Sequence, residues 1–556
     1  MSTQAQEAKI RWNKQGTATQ LCIDGKPYLL LAGELGNSSA SSINDIKRIF
    51  PKLHRLGLNT VLVPASWELV EPKEGEFDFT LITSIIEEAR ANRLKVVFLW
   101  FGAWKNSMSC YTPIWFKKEF NKYPRVQTEE GKPLEIASPF SEAVFQADSR
   151  AFEAFMQHLA EIDSQKQTVI MIQVENEIGM LESARDHSPT ANSLFKSEVP
   201  LTLMKYLQKH EKELHPWLIE KWSKAGKKIH GSWETIFGKD PYTDEIFMAW
   251  HYASYVERMI KKGKAAYNLP MYVNAAMNSR NRKPGEYPSA GPLAHLIDIW
   301  HCAAPSLSLL APDLYDNGFI GWTAQYKLHN NPLFIPEIKL EPNDGVRAFY
   351  VFGEHDGIGF SPFSIEDAPE SPDYPLAKSY QVLQELMPVI TQYQGKEAMK
   401  GLLFDQTEKK RILKWGHTTL ICRHFFTLPW DKRATDGSLW PEGGGLVIRI
   451  AEDEYLVAGS GIVIEFKSED ERRLTTVNQT LGEDGFAAEG SSIRSTQNWE
   501  GGKRIGLGQV SEVHINADGS MTEVRRLNGD QTHQGRHVRI GVDDFSILHV
   551  KLYEYK

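Results

Sequence analysis

The sequence predicts an α/β fold, a (β/α)8 TIM barrel followed by an antiparallel β-sandwich. Three observations predict it. Eight short apolar runs alternate with helix-period segments over the first 392 residues. The fourth of these, Val169 to Gly179, ends abruptly in carboxylate, amide, carboxylate, as a buried strand does at its open end. Beyond about residue 392 the helical period gives way to two-residue alternation. A chain of 556 residues is long enough to bury cores for both domains.

The runs are Tyr28 to Leu35, Asn59 to Trp67, Lys95 to Trp104, Val169 to Glu177, Pro270 to Met277, Ser308 to Tyr315, Pro332 to Ile338 and Gly357 to Ile365. Strands of a parallel barrel are covered on both faces, so they read as continuous apolar runs. Between the first two, Ile43, Ile46, Phe50, Leu53 and Leu56 recur at helical spacing and stop at Gly57; Pro51 inside this segment predicts a kink or two shorter helices. Leu81, Ile82, Ile85, Ile86 and Ala89 mark a second helical face. Residues 180–269 are far more than one crossover helix requires, and with Trp217, Trp222, Trp233 and Trp250 they predict a helical insertion over one face of the barrel. The barrel is thus assigned to residues 1–392. Residues 393–556 form the sandwich, from alternations such as Leu446, Ile448, Ile450 and Val538, Ile540, Val542 and from turns at Asp518-Gly519 and Asn528-Gly529. Glu442-Gly443-Gly444-Gly445 lacks the Lys and Ser/Thr of a phosphate loop and reads as a turn; nearby Trp440 is a candidate sugar contact from the second domain.

Composition excludes several classes. A formal charge of -8 gives no basic footprint, so no nucleic-acid partner is expected. No stretch approaches a membrane span and the N-terminus has no apolar h-region, so no membrane association is expected. The chain as given is expected in the cytoplasm, or in the periplasm or outside the cell if a signal peptide has been removed. Four scattered cysteines form neither a disulfide framework nor a zinc ribbon. His210-Glu211 with His215 misses the shared helix face of H-E-x-x-H, and no G-x-S-x-G elbow occurs, so neither a metal nor a cofactor is expected. Self-association into a homo-oligomer stays open.

Chemistry is sought at the carboxyl ends of the strands, where barrel active sites lie. The fourth run stops at Glu175-Asn176-Glu177 and the seventh at Glu337. Carboxylates on strands four and seven face one another across the mouth, as cleavage of a glycosidic bond requires: an acid to protonate the leaving oxygen and a carboxylate to attack the anomeric carbon. By parity Gln173, Glu175 and Glu177 share the lumenal face; only Glu177 reaches the mouth. Glu175 would lie a layer lower, supported by a charged or hydrogen-bonding partner. Asn176 would point outward unless the strand bulges or ends there.

The run Gln173-Val174-Glu175-Asn176-Glu177-Ile178-Gly179 resembles the acid/base motif of glycoside hydrolase family 35, the β-galactosidases of clan A. Gly57 to Val61, Trp67 to Pro72 and Gly75 to Phe79 are similar to that family's second-strand motif, and Ile23 to Pro27 with Ala32-Gly33-Glu34 to its first strand. The likeness covers roughly residues 20 to 370 and implies a retaining, cofactor-free exo-β-galactosidase acting on oligosaccharides. It resembles a compact bacterial branch that includes enzymes acting on xyloglucan side chains. By resemblance Glu177 is the acid/base, Glu337 the nucleophile, Tyr315 the donor that keeps Glu337 ionised, and Asn176 the reader of the hydroxyl beside the anomeric carbon. Trp67, Trp104 and Phe363 are candidates for the apolar wall under the ring. At the end of strand three Asn106 is retained, but Met108 replaces the family's glutamate; Glu68 stands for an asparagine and Pro64 for a tyrosine. Glu34 or Glu68 could supply the missing carboxylate. The sugar is therefore less defined than the mechanism, and a β-glucosidase, an arabinosidase or a silent carbohydrate-binding protein are the alternatives.

Overall fold

The structure, a computed structural model, describes residues 9–277, 281–328, 331–428, 430–475 and 502–556. Its eight apolar runs form the eight parallel strands of a closed barrel. These are β1 (Leu30–Glu34), β2 (Thr60–Ser66), β3 (Lys95–Lys105), β4 (Val169–Asn176), β5 (Met271–Ala276), β6 (Leu309–Leu314), β7 (Phe334–Ile338) and β8 (Gly359–Pro362). Closure runs through Gly359 against Leu30 and Phe360 against Leu31. Every residue of β2, β4, β6 and β7 is buried, which is why these strands carry no alternation.

The crossover helices are α1 (Ile43–Arg55), α2 (Thr80–Ala91), α3 (Glu142–Asp163), α4 (Pro241–Ala266), α5 (Ile297–Ala303), α6 (Phe319–Gln325) and α7 (Asp344–His355). Helix α1 is continuous through Pro51, so of the two expectations, a kink or two shorter helices, the second is not met. The bond that proline removes is owed to the carbonyl of Lys47, which lies on the exposed face where water can take its place. The long connection after β4 holds four short helices, Pro189–Lys196, Leu201–Lys209, Pro216–Lys224 and Trp233–Phe237, before α4 returns to the barrel. Trp222 and Trp233 are its buried core.

Two compact units emerge: residues 1–13, 21–340 and 359–368, and residues 14–20, 341–358 and 369–556. Helix α7 and α8 (Pro375–Tyr393), expected with the barrel, cluster with the second unit. That unit contains β9 (Met399–Phe404), β10 (Lys410–Trp415), β11 (Thr418–His424), β12 (Gly443–Arg449), β13 (Glu454–Ser460), β14 (Ile462–Ser468), β15 (Arg504–Ile515), β16 (Met521–Leu527), β17 (Val538–Ile540) and β18 (Ser546–Tyr555). A six-stranded sheet, β9-β12-β13-β18-β15-β16, and a four-stranded sheet, β10-β11-β14-β17, share one apolar core that includes Leu402, Leu420, Val457, Ile464, Val538 and Val550. The triple glycine is not the expected turn. It opens β12, where a Cβ on Gly445 would stand 2.2 Å from the Ala458 oxygen and one on Gly443 would stand 2.4 Å from the Gly461 oxygen. Within the same unit Trp440 stacks on His424 with ring centres 4.9 Å apart.

Candidate active site

The site is assembled where β4 stops being regular. Between the register pairs Trp100 with Val174 and Lys105 with Asn176, β3 inserts Phe101 to Trp104 against the single residue Glu175. Glu175 and Glu177 adopt left-handed backbone with φ of 62° and 45°, so Asn176 sits between two reversals. Each costs roughly 1 kcal/mol or more for a residue with a side chain. Hydrogen bonds hold them: Glu177 N–H donates to Asn274 Oδ1 at 3.0 Å, Ser107 N–H to the Glu177 carbonyl at 3.1 Å, and Asn106 N–H to the Asn176 carbonyl at 3.2 Å. Within the bulge only glycine fits at 102, because a Cβ there would stand 2.2 Å from Trp100 Nε1.

The reversal at 175 swaps the faces that parity assigned. The Glu175 carboxylate accepts the Trp104 N–H at 2.8 Å and lies against Asp148 of α3, which itself accepts Trp100 Nε1 at 3.0 Å and the Tyr255 hydroxyl at 2.8 Å. Burial, then the charge of Asp148, pushes Glu175 well above the usual carboxylate range, and burial raises Asp148 as well. Proximity of the two carboxyls in a dry space thus disfavours ionisation of both. Glu175 is a buried support, as parity reasoning expected of it, but on the helix side of the strand and with an acid as partner.

Glu177, Asp313 and Glu337 converge, with carboxylate oxygens within 4.8 Å of one another and all three side chains buried. Asp313 on β6 and Glu337 on β7 are direct register partners. Each carboxylate has its own donor: Asn106 Nδ2 for Glu177, the Tyr315 hydroxyl for Glu337, and Asn274 Nδ2, at 2.6 Å, for Asp313. Burial and the neighbouring Glu177 push Glu337 up to about 7, against the opposing pull of Lys105 and of the Tyr315 hydrogen bond. Burial, with Glu337, Glu177 and Glu34 adding to it, holds Asp313 well above the carboxylate range. So many acids cannot all ionise in one dry space, and the cluster retains protons near neutrality. Among the described residues these three are the one grouping whose geometry could hold a metal ion, but each already accepts a side-chain hydrogen bond.

Around the cluster stand polar groups that lack partners. Glu34, at the end of β1, is fully buried with both carboxylate oxygens unpaired; burial first, then Glu337, pushes it well above its ordinary range while Lys105 opposes. Both amide atoms of Asn176 are likewise buried and unpaired. Lys105, at the end of β3, is buried with its ammonium 5.1 Å from the Phe101 ring centre. Orphaned buried groups cost about 1–3 kcal/mol each, and the hydroxyls of a polyol would satisfy them.

Sequence reasoning gave no role to Asn274, Asp313 or Lys105. The signals existed: Asn274 interrupts an apolar strand, and Asp313 shares strand parity with Tyr315. Other expectations are corrected. Trp67 is enclosed, donates Nε1 to Glu71 at 2.8 Å and packs on Trp115 and Phe116. Trp104 is enclosed too, donating to the Ala137 carbonyl and meeting Tyr252 and Tyr255 edge-on. Both are core, their rings covered by other aromatic side chains and their indole N–H groups satisfied inside the protein. Glu68 is half-buried beside Cys110 and Tyr111 rather than in the carboxylate cluster. Phe363 is only partly buried and its N–H joins the Ile338 carbonyl one residue beyond Glu337, so it stays beside the site.

Comparison with known proteins gives a consistent setting. Residues 39–245 match the glycoside hydrolase family 42 model described as "Beta-galactosidase", and residues 376–539 match one described as a domain of unknown function. The matching model is thus of family 42, which corrects the likeness to family 35 drawn from the motifs. A β-galactosidase of Xanthomonas manihotis is 30% identical over 192 residues, 33% of this chain and 29% of that protein. The match therefore spans less than a third of that relative's length. Among solved structures, the β-galactosidase of Halorubrum lacusprofundi has a TM-score of 0.43 at 15% identity, covering 64% of this chain and 58% of that one. A catalytic mutant of a family 42 β-galactosidase from G. stearothermophilus gives a TM-score of 0.45 at 13% identity, covering 69% and 59%.

Proposed function

We propose that this chain is a retaining exo-β-galactosidase that releases terminal β-linked galactose from oligosaccharides, xyloglucan side chains among them, without a cofactor. One observation carries the reading: carboxylate oxygens of Glu177, beyond β4, and of Glu337, on β7, lie within 4.8 Å of each other at the barrel mouth. Double displacement needs carboxyls about 5 to 5.5 Å apart, whereas an inverting enzyme leaves room for a water between carboxyls roughly 6.5 to 9.5 Å apart.

In the first step a Glu337 oxygen attacks the anomeric carbon while Glu177 delivers its proton to the departing glycosidic oxygen. In the second, Glu177 takes a proton from water, whose oxygen replaces Glu337 at the same carbon. The Tyr315 hydroxyl stabilises the anionic form of Glu337, and Asn106 steadies Glu177. Asn176 and Glu34 bring unpaired polar atoms to the sugar's hydroxyls. The galactose-specific part of the reading draws on the family 42 match and the Xanthomonas manihotis relative.

A panel of nitrophenyl glycosides tests the reading. Turnover of the β-galactoside supports it; preference for another sugar moves only the substrate, and no turnover of any removes the enzyme. The roles are tested with azide and an aryl β-galactoside. Glu337→Gly should give the α-glycosyl azide and Glu177→Ala the β-glycosyl azide, and identical products from both would refute the assignment.

A further inference from the structure

We infer that Asn274 is a positioning residue for the proton donor of the reaction: with its amide fixed by Asp313, it holds the Glu177 backbone in the conformation that brings that carboxyl to Glu337. The inference rests on the glycosidase reading above and adds what keeps the two reacting carboxyls together.

The need arises where β4 ends. The register of β4 with β5 runs through Gln173 beside Tyr272, and Glu177 lies beyond it in left-handed backbone with φ of 45°. A residue with a side chain stays in that region only where its surroundings hold it. Its N–H lies past the end of the strand in a residue only 6% exposed, so it needs a partner of another kind. Asn274 Oδ1 is that partner, at 3.0 Å. On the other side of the residue the Glu177 carbonyl accepts Ser107 N–H at 3.1 Å. Both peptide groups of Glu177 are thus pinned, and the link to Asn274 is the one made by a side chain that a substitution can remove.

An amide does this in one orientation. Its two ends are nearly equal in shape, and turned over it would set an NH2 group against the Glu177 N–H. Asp313 Oδ2 accepts Asn274 Nδ2 at 2.6 Å and so selects the productive orientation. Asn274 and Asp313 are each 1% exposed, and in so dry a place a hydrogen bond is strong and a missing one costly. The link also runs toward the nucleophile. Asp313 on β6 is the register partner of Glu337 on β7, so the path from Glu177 through Asn274 to Asp313 ties the end of β4 to the strand pair that carries the attacking carboxylate. In a constellation of this kind a displacement of about 1 Å costs on the order of 100-fold in rate.

The test uses the leaving group. A dinitrophenolate departs without a proton, whereas a phenolate departs slowly unless Glu177 supplies one. Asn274→Ala should lower kcat/KM for phenyl β-galactoside by roughly 10-fold or more beyond any loss on 2,4-dinitrophenyl β-galactoside. Equal losses on the two substrates, or no loss on either, would overturn the inference. Asp313→Ala should repeat the pattern, and Asp313→Asn, which keeps an acceptor for Asn274 Nδ2, should restore most of the rate on the phenyl substrate. If Asp313→Asn is as impaired as Asp313→Ala, the carboxyl of Asp313 acts by something other than accepting that hydrogen bond, and its place in the inference is overturned. This pair also decides the matter if Asn274→Ala does not fold. If the wild-type chain turns over neither galactoside, the galactosidase reading fails. The inference is then judged by the crystal structure of Asn274→Ala: a Glu177 that leaves the left-handed region and its contact with Asn106 supports it, and an unmoved Glu177 overturns it.

Discussion

Replacing Tyr315 by phenylalanine removes one atom and tests how the nucleophile candidate is kept ready. The Tyr315 hydroxyl donates to Glu337 Oε1, and its hydrogen bond is one of the two influences that hold Glu337 down to about 7. A hydrogen bond to a charged group is worth about 1.5–3 kcal/mol, or roughly one to two pH units at 1.36 kcal/mol per unit. Glu337 would then keep its proton to a correspondingly higher pH. At pH 7 its ionised fraction falls from about one half to between roughly one in ten and one in a hundred, so kcat/KM falls roughly 5- to 50-fold. The deficit should shrink as pH rises, because a higher pH restores the carboxylate without the phenol. The assay is the pH profile of kcat/KM on an aryl β-galactoside, whose acid limb reports the base form of the free enzyme's carboxylate cluster. An acid limb that stays in place, with a loss independent of pH, would refute the reasoning and leave Tyr315 as a packing residue.

Three further outcomes follow from the same geometry. Glu337 carries a carboxyl raised from 4.5 to about 7 by burial, so between those pH values the unfolded chain releases a proton that the native state keeps. Stability therefore falls as pH rises through that window, and Glu337→Gln should be the more stable protein by about 3 kcal/mol above pH 7, with the difference gone near pH 4; urea titrations at both pH values measure this. Glu175→Gln keeps an acceptor for the Trp104 N–H and should hold stability within about 1 kcal/mol, whereas Glu175→Ala leaves that donor bare and should cost about 1–3 kcal/mol with little loss in specific activity of the folded fraction. A large loss of kcat in both variants would contradict a purely supporting role. In the second unit, Gly445→Ala forces a methyl to within 2.2 Å of the Ala458 oxygen and should destabilise the sandwich by roughly 1–3 kcal/mol, read as a lower midpoint in thermal unfolding.

How much of the site was legible depends on how local its cause is. Glu337 could be read from Pro336-Glu337-Ile338 closing an apolar run, and Tyr315 from the end of the run before it, because a strand's last polar residue is marked by what precedes it. Glu175 was misplaced because alternation assumes extended backbone, and no residue type near it announces φ of 62°. Trp67 and Trp104 were misread for a different reason: a tryptophan has the same composition value in a core as at a sugar face, and only its neighbours, Phe116 for one and Tyr255 for the other, decide. Asp313 and Lys105 bear on Glu337 through space, from β6 and β3; parity with Tyr315 could mark Asp313 as facing the site, but neither residue's effect on Glu337 follows from its own segment.

By itself the sequence determined the barrel, since eight apolar runs at crossover spacing have few other ways to cover both faces, and it determined that carboxylates from β4 and β7 meet at one end. Only the tertiary structure decided which way those carboxylates turn and how many protons they hold. A strand's period is a property of consecutive residues, whereas a reversal at Glu175, the pairing of its carboxyl with that of Asp148, and a carboxyl raised at Glu337 arise from groups that the chain brings together across the barrel.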